Sequence, residues 1–186
     1  MPQTTLAGGF ADPPQDAAQA FRGIMQAMAR PGRIETVGGV RPPAPLSVAA
    51  ATLLLTLCDP DTGLYLAGAC DTPAVRDWIT FHTGAPFVAP ADATFALGAW
   101  HDIDLSVLPI GTPEYPDRSA TVIVEVPNLT HGGAKLRGPG IKDIAMLNLP
   151  DLPALQQNAA LFPLGLDFFF TSGADLAALP RSTKVT

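Results

Sequence analysis

Charge is scarce in this chain. Only 15% of its 186 residues are Asp, Glu, Lys or Arg, and three of those are lysine. A formal net charge of −6 argues against general binding to nucleic acid or anionic membranes. The two cysteines, Cys58 and Cys70, have no partners at zinc-ligand spacing and sit among apolar or small residues, where a buried reduced thiol is expected. His82, His101 and His131 stand singly, so no metal-binding motif is written in them. The apolar run Leu53 to Leu57 is far too short to span a bilayer. The first twelve residues lack a basic segment followed by a continuous apolar core, and the expected location is the cytoplasm. Nucleophile-elbow, zinc-protease and Walker motifs are all missing.

What is present is a chain 47% hydrophobic, long enough to bury a core as one domain. So little charge fits a surface partly covered in a dimer or larger complex, and equally an alanine-rich globular surface. Residues 1–14, with Gly8-Gly9 and Pro13-Pro14, are expected to form a flexible arm ahead of a single domain over residues 15–186. A first helix is expected from a cap at Asp16, with Phe21, Ile24, Met25 and Met28 as its apolar stripe and Pro31-Gly32 as its stop. Ser47 caps a second helix over residues 48–57 that is apolar almost all round. Thr72-Pro73 starts a third, whose inward face carries Val75, Trp78, Ile79 and, at its edge, His82 as a hydrogen-bonded structural residue. A short helix is expected over residues 101–108 and another over 152–161, with a polar tail at 180–186. Strands are expected near residues 33–37, 64–67, 94–97 and 121–126, then as a hairpin over 166–179. Helices and strands alternate first and strands cluster later, which reads as an α/β fold with a mixed β-sheet flanked by helices.

The densest chemistry lies in residues 131–143, HGGAKLRGPGIKD, with four glycines and four basic or imidazole side chains. Glycines permit backbone geometry that other residues resist, and clustered cations attract phosphate or carboxylate. Two readings stand side by side: a phosphate cradle, or a glycine-rich strand connection with ordinary surface charge. Lys135 is the candidate a Schiff-base mechanism would use, against the alternative of an exposed lysine on a strand or loop.

Six blocks then resemble one known family in order. They are Phe21-Arg22-Gly23-Ile24-Met25-Gln26-Ala27-Met28-Ala29-Arg30-Pro31-Gly32, Leu53 to Asp59 with Asp61-Thr62, Phe81-His82-Thr83-Gly84-Ala85-Pro86, Leu136-Arg137-Gly138-Pro139-Gly140-Ile141, Phe162 to Asp167, and Pro180-Arg181-Ser182-Thr183. The family is phosphonate-metabolism protein H, the H subunit of bacterial carbon–phosphorus lyase. The resemblance implies a fold similar to pyridoxal-phosphate-dependent transferases, with no cofactor. It also implies a homodimer that joins the G, I and J subunits in a complex. Those subunits couple an alkylphosphonate to ribose triphosphate with ATP, displacing adenine, before a radical step on J breaks the carbon–phosphorus bond. No catalytic residue transfers to this chain. Phosphate or nucleotide contact is expected, if anywhere, at Lys135, Arg137, His131 and Arg181, and glycine geometry at a strand connection or subunit contact is the competing reason for the motif.

Overall fold

The computed structural model describes residues 6–186. A first helix, α1 (Pro13–Ala29), leads into the short strand β1 (Glu35–Thr36) and then α2 (Val48–Leu57). Strand β2 (Leu64–Leu66), α3 (Pro73–Thr83), β3 (Phe95–Ala99) and β4 (Thr121–Glu125) follow. The chain then forms β5 (Ala134–Arg137), β6 (Ala145–Leu147) and α4 (Leu152–Ala160). It closes with β7 (Asp167–Ser172), β8 (Asp175–Leu179) and β9 (Lys184–Val185).

Six strands make one mixed sheet in the order β1-β8-β7-β4-β3-β2. Strands β2, β3, β4 and β7 run parallel, β8 returns antiparallel between β7 and β1, and β1 runs in the direction of the parallel set. Alternation along each strand sends its two faces into different cores. Ile123 and Phe169 pack with Leu53, Leu54, Trp78 and Ile79 beneath α1, α2 and α3. Val122, Val124, Phe168 and Phe170 face the other way, onto Leu136, Leu147, Leu155 and Val185. That second layer is α4 and a small antiparallel sheet in the order β6-β5-β9. The expected α/β architecture with a mixed sheet is therefore present, in three layers.

Two helices have the bounds their capping residues predict. The Ser47 hydroxyl accepts from Ala50 N–H at α2, and Thr72 accepts from Val75 N–H at α3, which ends on left-handed Gly84. The first helix differs. It starts at Pro13, with Pro13 and Pro14 in its first turn, where proline lacks nothing the helix needs. Asp16 is inside that turn and accepts from Asp12 N–H at 2.9 Å. Its buried face is only partly the expected one: Ile24 is buried and Met28 packs on the helical core, but Ala20 and Ala27 also point inward, leaving Phe21 and Met25 exposed. Small residues let α1 approach closely, and a Cβ on Gly23 would stand 3.0 Å from Val37. The larger side chains, one position or about 100° round the helix, stay outside.

Residues 6–12 are tied to the domain rather than loose. Trp78 Nε1–H donates to Ala7 O at 3.0 Å, Arg41 N–H donates to Gly8 O at 2.7 Å, and Phe10 packs on the helical core. His82 Nε2 lies 2.9 Å from Leu6 O and its ring rests against Trp78, so the structural role expected for His82 is the one it has. The part of the expected arm over residues 1–5 lies outside the described residues. Two further expectations change. Residues 101–108 form two 3-10 turns instead of one helix, the second secured by Asp104 accepting from Ser106. The polar tail ends in a strand, Lys184–Val185, with Val185 buried and Lys135 and Thr186 exchanging backbone hydrogen bonds at 2.7 and 2.9 Å. Among the described residues no helix is long and apolar enough to cross a membrane.

Candidate functional site

Residues 131–143 fold into β5, which is Ala134 to Arg137, and most of the glycine-rich connection from it to β6. Alternation turns Ala134 and Leu136 inward and exposes Lys135 and Arg137. Lys184 stands opposite Arg137 across the β5–β9 ladder, giving that outer face a third cation. Arg137 Nη1–H reaches the Asp143 carbonyl at 3.5 Å, a long bond that points this side chain along the β5–β6 loop.

His131 goes elsewhere. It lines a cleft of about 390 Å3 with Arg30, Arg33 and Lys142, over a floor from Pro31, Gly32, Gly140 and Ile141. The end of α1 and the glycine-rich loop meet backbone to backbone. A Cβ on Gly140 would overlap the Ala29 carbonyl oxygen, and Gly140 has φ +80°. Gly32, with φ +88°, lies where a Cβ would stand 2.7 Å from that of Ala145. The glycines of two distant sequence blocks thus serve one close approach. Arg33 pairs with Glu35, and Asp143 is the one carboxylate among the cleft's lining residues.

Arg181 is apart from all of these. Its guanidinium pairs with Asp167, its Nη1–H donates to Pro116 O at 2.6 Å, and its backbone N–H donates to Asp167 Oδ1 at 2.8 Å. Those bonds hold the end of β8 against the start of β7 and occupy the guanidinium. Of the four residues singled out in the sequence, His131 lies in the cleft, Arg137 and Lys135 lie on the adjoining sheet, and Arg181 is a structural tie. Arg30, Arg33 and Lys142 escaped sequence reasoning, although Arg30 and Lys142 flank the two glycine-proline signals that build the cleft.

A second polar group sits at the carboxyl ends of the parallel strands, where open α/β sheets commonly bind ligands. Glu125, closing β4, accepts from Ser47 N–H at 2.8 Å and from the Thr171 hydroxyl at 2.9 Å. Burial raises its pKa above the ordinary 4.5, with the bonds from Ser47 and Thr171 opposing the shift. Burial also raises the nearby Cys70 thiol to about 11, and Cys58 to about 12, so both cysteines stay protonated and unreactive. Glu125 is bonded internally and clamps the start of α2 to the sheet.

A raised carboxyl pKa means the folded state holds that proton more tightly than the unfolded state. The contribution is complete below about pH 4.5 and is lost as pH rises through the folded value. Glu125→Gln removes this dependence. Urea unfolding of both proteins from pH 4 to 7 should show the wild type losing ground to the variant as pH rises. A pH-independent difference between them would mean that Glu125 is not desolvated.

The family model for bacterial phosphonate metabolism protein (PhnH) matches residues 8–186. The chain is 43% identical over 190 residues to the alpha-D-ribose 1-methylphosphonate 5-triphosphate synthase subunit PhnH of Rhizobium meliloti (strain 1021), covering 96% of this chain and 94% of that protein. It is 28% identical over 172 residues to HtxG of Stutzerimonas stutzeri, whose name assigns it to C-P lyase, covering 89% and 84% of the two chains. A match that runs through the cleft segments, both sheets and all four helices is decisive: the chain belongs to the PhnH family of bacterial phosphonate metabolism proteins.

Proposed function

We propose that this chain is a non-catalytic subunit of a cytoplasmic carbon–phosphorus lyase assembly. Alone it forms a homodimer, and in the assembly it meets the G, I and J subunits. Its presence serves the ATP-dependent coupling of an alkylphosphonate to ribose triphosphate that precedes cleavage of the carbon–phosphorus bond. The observation that carries this reading is the placement of large apolar side chains in water on both sides of the sheet. Phe21 and Met25 on α1 are each 46% exposed and Phe81 on α3 is 64% exposed. On the opposite layer, Leu161 and Phe162 after α4 are 45% and 60% exposed. Two separate apolar areas suit a chain that meets more than one partner. A sheet akin to that of pyridoxal-phosphate enzymes, without the cofactor, belongs to the same reading. In its support, all three lysines are exposed on the small sheet and its loop.

Copurification tests it. Tagged chain expressed with the G, I and J subunits is expected to elute with them. Phe21→Glu with Met25→Glu, or Phe162→Glu, is expected to release at least one partner while the chain stays folded. Tagged wild type eluting alone sinks the reading. A second reading gives the chain a direct phosphate or nucleotide contact in the transfer reaction, and the basic cleft with Arg137 and Lys135 beside it favours it.

A further inference from the structure

Two of the cleft's cations are not explained by folding. Among the described residues neither Arg30 nor Lys142 has an ion pair or a side-chain hydrogen bond, whereas Arg33, Arg76 and Arg181 each have a carboxylate. Three segments far apart in sequence supply the four basic groups: the end of α1, the approach to β5 and the β5–β6 loop. In a chain of net charge −6, bringing Arg30, Arg33 and Lys142 to one concavity costs mutual repulsion that a bound anion would relieve.

We propose that this cleft binds a triphosphate chain. Arginine grips phosphate oxygens through two parallel N–H bonds and lysine adds a mobile point charge, so Arg30, Arg33 and Lys142 are suited to successive phosphates, with His131 as a further donor. A volume of about 390 Å3 accommodates such a chain and exceeds what one phosphate needs. Asp143 opposes the anion, and Glu35 neutralises part of Arg33. The choice of a triphosphate rests on the functional reading above, since the Rhizobium relative is named for a ribose 5-triphosphate product. A free nucleoside triphosphate and a ribose-linked triphosphate share this chemistry.

Calorimetry on the full chain in EDTA, with inorganic triphosphate, ATP, inorganic phosphate and methylphosphonate, tests the site. Inorganic triphosphate should bind at least about tenfold more tightly than either single-phosphorus anion. Equal affinity for ATP means the phosphate chain alone is recognised, and tighter ATP means the nucleoside is recognised too. Arg30→Ala and Lys142→Ala should each weaken triphosphate binding about tenfold, while Arg22→Ala, on the same helix but outside the cleft, should change it by less than about twofold. Asp143→Asn should tighten binding several-fold, a gain that misfolding does not produce. No triphosphate binding by wild type, or an equal loss in Arg22→Ala, overturns the proposal. If the Arg30 and Lys142 variants lose triphosphate but still copurify with the other subunits, the cleft and the assembly surfaces are separate. If wild type binds triphosphate yet elutes alone, the assembly reading fails by itself.

Discussion

An alanine at Gly140 is expected to destabilise the protein by about 3 kcal/mol and to abolish triphosphate binding at the cleft. At φ +80° an L-residue carries roughly 1–2 kcal/mol of backbone strain. The added Cβ would overlap the Ala29 carbonyl oxygen and stand 2.9 Å from its carbon, both backbone atoms of the last turn of α1 that have no rotamer to escape through. Relieving that contact lifts the loop from the helix end and adds an overpacking cost of similar size. Lifting it also moves Lys142 and Asp143 away from Arg30. Gly132 in the same glycine-rich stretch is the control, because a Cβ there meets nothing nearer than Thr130 Oγ1 at 3.9 Å. Urea unfolding should place Gly132→Ala within about 0.5 kcal/mol of wild type. Equal midpoints for the two variants would refute the close approach on which the cleft depends.

Replacing Arg181 with alanine is expected to cost about 3–4 kcal/mol, lowering the melting temperature by roughly 10 °C in a chain of this size. The Arg181 and Asp167 side chains are only 14% and 21% exposed, so removing the guanidinium leaves a carboxylate poorly reached by water. It also leaves the Pro116 carbonyl without its donor. Arg181→Ala combined with Asp167→Ala should cost clearly less than the sum of the two single changes, because each removes the same pair. Additive costs would show that the two do not interact. Unchanged stability with lost triphosphate binding would return Arg181 to the ligand role that its sequence block first suggested.

Local chemistry made much of this fold legible. The bounds of α2 and α3 follow from Ser47 and Thr72, whose hydroxyls satisfy N–H groups in the first turn, and from Gly84, which ends α3 in the left-handed region. The β-branched run of β4 and the Gly173 turn between β7 and β8 were equally readable, since strand and turn signals reach only a few residues. The orientation of α1 was not. Phe21 and Met25 form as good a stripe as Ala20, Ile24 and Ala27, and only the closeness allowed by small residues chose between them. Strand β9, two residues long, is too short to show a period, and pairing with β5 defines it.

The same division holds at the candidate site. The sequence by itself marked residues 131–143 as the chain's basic, glycine-rich centre and tied it to a family, because composition and motif order are properties of the chain alone. It did not show that this centre divides, with Lys135 and Arg137 on one sheet face and His131 and Lys142 in a cleft. Nor did it show that Arg30 and Arg33 complete that cleft while Arg181 locks β7 to β8. Only the tertiary structure decided these points. They depend on which segments, about a hundred residues apart, the order of the strands brings together, and no local pattern encodes that distance.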